Sequence, residues 1–103
     1  MKIIISESQK KKISVIRRFN SDFDAIWDIV DEGVDMYLCR FDDFDSYYEY
    51  VCENSAMTYL FHYFDSVEEE GYLELEKYIT KFIKKEFSNR IREIWVDNRD
   101  NCI

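Results

Sequence analysis

The chain has 103 residues, 47% apolar and 35% charged, with a net charge of −8. That length supports a single domain, residues 1–103, able to remove roughly two thirds of its unfolded surface from water. With no proline and two glycines, it lacks the turn formers of an all-β sandwich or barrel. No run of about 18 apolar residues offers a transmembrane helix, and the opening MKIII meets charge too soon for a secretory signal.

Charge is laid out in blocks. Residues 1–19 carry six basic groups and one acidic, residues 20–76 one basic (Arg40) and seventeen acidic, and residues 77–103 seven basic and four acidic. Such blocks serve helix pairing or give a partner a one-signed face.

In chain order, Lys2 to Ile5 (KIII) is a short β-prone run, an N-terminal arm or an edge strand through which two copies could pair. Ser6 and Gln9 have capping-box spacing, and Ile13, Ile16 and Phe19 line one side of a short basic helix over 7–19. Asn20 or Ser21 is the next cap. Phe23, Ile26, Trp27, Val30, Val34, Tyr37 and Leu38 then follow helical periodicity over 22–38. Gly33 inside that helix costs about 1 kcal/mol relative to alanine and is expected to mark close helix packing. Asp42 or Asp43 caps an aromatic helix over 43–64, with Phe44, Tyr47, Tyr48, Val51, Ser55, Tyr59 and Tyr63 as its stripe and Cys52, Ala56 and Leu60 widening it. Residues 41–64 hold nine of the eighteen aromatic residues. Around 56–64 the helix is apolar on nearly every side, so it is either the centre of the bundle or an exposed patch of Met57, Phe61 and Phe64. Ser66 and Glu69 form another capping box for a last helix over 67–95, whose apolar positions are Tyr72, Leu75, Ile79, Phe82, Ile83, Phe87, Ile91, Ile94 and Trp95, followed by a loose tail; Ile94 to Val96 could instead be a strand facing Ile3 to Ile5. Four helices with short loops predict an all-α antiparallel bundle.

Chemistry is mostly excluded. Cys39, Cys52 and Cys102 are odd in number and without a C-x-x-C pair, predicting free thiols in a reducing, cytoplasmic setting. Cys39 and Cys52 read as small buried hydrophobes. His62, the sole histidine, belongs to no H-E-x-x-H, E-x-x-H or Cys/His zinc spacing, so no metal site is expected. Phosphate-binding glycine loops and a G-x-S-x-G elbow are absent, and no cofactor is expected. An EF-hand starting at Asp43 fails because Tyr47, Tyr48 and Val51 fall on loop positions that need oxygen ligands or glycine.

The acidic block is the feature with functional content. Asp24, Asp28, Asp31 and Asp35 recur at i, i+4, i+7 and i+11, spacing carboxylates by about 6 Å along a helix, close to successive phosphates on a nucleic-acid strand. Asp42, Asp45, Glu49 and Glu53 make a comparable row on the third helix. Together they are candidate contacts for the cationic groove of a nucleic-acid-binding protein. A solvated face, partly neutralised by the basic first and last helices, is the plain alternative. The total charge opposes direct binding of nucleic acid, and Lys10, Lys11, Lys12, Arg17 and Arg18 are not interleaved with aromatics for stacking.

The opening MKIIISESQ, with Arg17 and Arg18 after it, resembles the start of a group of small proteins encoded by tailed phages and other environmental viruses. Residues 78–95, where basic and aromatic residues alternate, are similar too. Together these stretches cover about a quarter of the chain. No functional residues are defined for that group, so none carries over. The resemblance implies a phage-type origin, and with it small host-takeover, anti-defence or minor virion proteins. The sequence therefore points to a non-catalytic module that inhibits or modulates a host or viral protein through its acidic face. The alternative is a virion assembly protein that self-associates through its aromatic surface and N-terminal edge.

Overall fold

A single residue, Asp22, separates the first two helices and sets the layout of the bundle. The computed structural model describes residues 7–102. They form α1 (Glu7–Ser21), α2 (Phe23–Tyr37), α3 (Phe44–Leu60), α4 (Tyr72–Asn98) and a closing 3-10 turn (Arg99–Asn101). These four helices pack against one another, and the described residues contain no strand. The expected β-prone run 2–5 and the Ser6 cap lie outside the described residues.

One residue is too short a connection to reverse a helix, which takes about two to five. Asp22 (φ −107°, ψ 38°) therefore passes the chain on in the same general direction. Partners on α4 rise in number along α1 and α2: Lys12 pairs with Glu74, Phe19 packs on Tyr78 and Phe82, and Phe23 and Trp27 pack on Phe87. Along α3 they fall, from Trp95 beside Phe44, through Lys84 beside Glu49, to Tyr72 beside Phe61. The antiparallel arrangement holds for α2 with α3 and for α3 with α4, while α1 and α2 form one broken rod running with α4. The outcome is a long body of 61 × 25 × 19 Å.

Local chemistry explains where the boundaries depart from expectation. Neither Asn20 nor Ser21 caps a new helix; both stay in α1, and the Ser21 hydroxyl donates back to the Arg18 carbonyl at 2.9 Å. Asp43 does cap α3, accepting from the Ser46 N–H at 2.8 Å, and that bond holds its carboxyl below the usual range. The Ser66 capping box does not start α4. Its hydroxyl accepts from the Glu68 N–H instead, and the helix begins only after Gly71, whose φ of +88° interrupts any right-handed helix. The tail is not loose and 94–96 is not a strand: α4 continues to Asn98, and the Arg99 guanidinium donates to the Phe41 carbonyl at 2.7 Å.

The cysteines also depart from expectation. Cys39 and Cys102 form a disulfide, and only Cys52 is a free, buried thiol. An odd count leaves one thiol over; it does not forbid a pair that the fold brings together.

α3 is the central helix. Tyr47, Val51, Cys52, Ala56 and Leu60 are wholly buried and share one core with Ile26, Val30 and Val34 of α2 and Leu75, Ile79, Ile83 and Ile91 of α4, the two helices between which α3 packs. Burying each such aliphatic side chain contributes about 1.5–3 kcal/mol. Tyr47 is admitted because its hydroxyl donates to the Val34 carbonyl at 2.9 Å.

Candidate acidic docking face

The two acidic rows occupy different surroundings. On α2, Asp24, Asp28, Asp31 and Asp35 are all exposed, on the side of the helix turned away from its buried Ile26, Val30, Gly33 and Val34. None of the four forms an ion pair among the described residues. The helix that carries them contains no lysine or arginine, so their field is not cancelled from within the element.

The α3 row is turned toward α4. Both carboxylate oxygens of Glu49 accept from the Lys84 ammonium at 2.7 Å. Glu53 shares a groove with Lys77, Lys81 and Lys84, and Asp45 shares a cleft with Arg92. Asp42 is exposed in the loop before the α3 cap. The eight expected contacts therefore do not form one face: α2 carries free carboxylates, while α3 carries carboxylates set against the basic face of α4.

The expected aromatic patch is divided as well. Phe61 is 55% exposed, Met57 is half-buried and Phe64 is only 5% exposed. The Phe64 ring meets Tyr72 edge-on at 5.4 Å and lies beneath the Lys11 ammonium. Tyr59 is buried against Phe19. α1 and the start of α4 take up most of the aromatic surplus of 56–64, leaving Phe61 outside.

The remaining chemistry is quiet. His62 is exposed, and among the described residues no three metal-ligating side chains converge. Burial pushes the Cys52 thiol up to about 12, too high for a thiolate at neutral pH. No helix of the described residues is long and apolar enough to cross a membrane.

Two features had no counterpart in the sequence reading. One is the Cys39–Cys102 bond. The other is an open groove between α2 and α3, lined by Ile29, Gly33, Met36 and Tyr37 with Asn54 and Thr58, and edged by Glu32. Ile29 and Met36 lie off the main periodic stripe of α2, which was the available signal for a second apolar face. Comparison with protein-family models, with curated proteins and with solved structures gives no match to this chain.

Proposed function

We propose that the chain is a non-catalytic protein-interaction module that inhibits or modulates a host or defence protein, presenting α2 to a cationic nucleic-acid-binding surface. The observation that carries this reading is the run Asp24, Asp28, Asp31 and Asp35, exposed and without a cationic partner among the described residues. It offers carboxylates about 6 Å apart over about three turns of helix, and the electrostatics that hold a phosphate backbone act equally on such a row. The α3 row supports the reading less, because Glu49 is already paired with Lys84. The resemblance of the opening segment MKIIISESQ to the start of phage-encoded proteins is what supports a setting in the cytoplasm of an infected cell. The test replaces Asp28, Asp31 and Asp35 together by lysine and measures binding to captured nucleic-acid-binding host proteins, with duplex DNA as competitor. Binding should vanish while the helical circular-dichroism signal stays. Binding that survives the triple change and is insensitive to salt sinks the reading.

A second reading, a virion assembly protein, is favoured by the Cys39–Cys102 disulfide. Such bonds persist at virion surfaces and other oxidising settings rather than in the cytoplasm. Phe61 and Leu73, 55% and 61% exposed, would supply apolar contacts. A monodisperse monomer in light scattering excludes self-association and removes this reading.

A further inference from the structure

The groove between α2 and α3 lies on a surface to which α4 contributes no lining residue, around a volume of 270 Å³. Its α2 wall is Ile29, Gly33 and Met36. Asp28, Glu32 and Asp35 each precede one of these by a single residue, a rotation of about 100° around the helix. The apolar wall therefore has an acidic lip running beside it for its whole length. Met36 is 52% exposed, an unbranched side chain that adapts to whatever packs on it. The opposite wall, Asn54 and Thr58, is uncharged, and Tyr50 of α3 and Phe61, just past its end, are exposed. Neither α2 nor α3 contains a lysine or arginine. Arg40 stands at the Tyr37 end, stacked on that ring at 5.6 Å.

A trough with one apolar wall, one uncharged polar wall and a one-sided acidic lip is complementary to one kind of occupant. We propose that the α2–α3 groove binds a short basic amphipathic helix of a partner protein. Its apolar side chains at i, i+3, i+4 and i+7 would sit on Ile29 and Met36, and its lysines or arginines beside Asp28, Glu32 and Asp35. This rests on the proposed acidic docking function and gives the partner's cationic element a shape. Charge alone would accept any cation; the trough selects one whose apolar residues share a face.

Two synthetic peptides of about 14 residues, four turns of helix, test it. Both have the same leucine and lysine content. One places leucine at helical spacing, and in the other the order is scrambled to destroy the apolar face. With fluorescein-labelled peptides at about 50 mM salt, where electrostatic attraction is strong, the amphipathic peptide should bind at least about tenfold more tightly, the advantage expected from burying apolar side chains. Met36→Ser and Thr58→Trp, both at exposed positions, should each erase about that advantage and leave the scrambled peptide unaffected. Equal binding of the two peptides, or an advantage that survives both substitutions, overturns the groove and leaves the charge reading standing. Failure of both peptides to bind, or binding that persists after Asp28, Asp31 and Asp35 become lysine, overturns the charge reading as well. A dimer that Met36→Ser dissociates assigns the groove to a second copy and overturns the proposal.

Discussion

Cys39, just past the C-terminal end of α2, is bonded to Cys102, 63 positions later, with Cα atoms 5.3 Å apart. The bond joins the start of the α2–α3 loop to the turn that follows α4, and the Arg99 hydrogen bond to the Phe41 carbonyl reinforces the same junction. Closing a loop of this length restricts the unfolded chain by about 4 kcal/mol in the chain-entropy view. Excess dithiol, or Cys39→Ser, should lower the unfolding free energy by about that amount, read as a lower urea midpoint. Thiol titration of the denatured chain should find one reactive group before reduction, that of Cys52, and three after it. An unchanged midpoint, or three thiols at the outset, rules the bond out.

Gly33 faces α3, yet the packing does not demand glycine. A Cβ placed there would meet the Ser55 hydroxyl at 3.6 Å and Val51 at 3.9 Å, ordinary contact distances. Replacing it by alanine should remove the entropic cost of glycine in a helix and raise stability by about 0.5–1 kcal/mol. A rise in thermal midpoint is the readout, and a fall would show that the α2–α3 contact requires glycine.

The Tyr72 hydroxyl is buried and has no hydrogen-bond partner among the described residues. Burial, followed by the nearby Glu76 carboxylate, pushes its ionisation upward. Tyr72→Phe keeps the ring contacts with Phe61 and Phe64 and removes the cost of desolvating that hydroxyl. Stability should rise by about 1 kcal/mol; a loss of similar size in denaturant titration would reveal a hydrogen bond made by that group.

Acid should release α1 first. Lys11 pairs with Glu69 and Lys12 with Glu74, tying α1 to the 66–71 turns and to the first turn of α4. Hydrogen bonding to these lysines holds both carboxyls below the ordinary value. A carboxyl whose folded value is depressed binds its proton more readily in the unfolded chain. The stability it contributes is present above the unfolded value, about 4.3, and is lost as pH falls through the folded value. Glu76 acts in the opposite sense. Burial, then Glu53, raises its value, so its stabilising contribution is present at low pH and lost as pH rises through that raised value. Among the described core residues α1 contributes only Val15 and Phe19, too little to hold it without its pairs. Amide exchange followed from about pH 5 to pH 3 should therefore show α1 losing protection before α3; simultaneous loss in both would contradict the order.

Much of this molecule was legible in residue spacing. The stripe of Ile26, Val30 and Val34 on α2 and that of Leu75, Ile79, Ile83 and Ile91 on α4 are local patterns, and each is buried as its period requires. The Asp43 cap is equally local, a carboxylate three residues before an unpaired N–H. The same periodicity put Asp24, Asp28, Asp31 and Asp35 together on an exposed face.

What spacing could not decide were relations between elements distant in sequence. The direction of α1 depends on the single-residue link at Asp22. The fate of Phe64 depends on Lys11 and Tyr72 arriving over it. Whether an acidic row is free or neutralised depends on which helix lies opposite, as Lys84 shows at Glu49. The Cys39–Cys102 bond exists because α2 and α4 run in the same direction and their C-terminal ends meet. Composition, periodicity and capping are properties of neighbouring residues and determined the helices and their buried faces; pairing across the bundle is a property of the assembled helices, and only the tertiary structure fixed it.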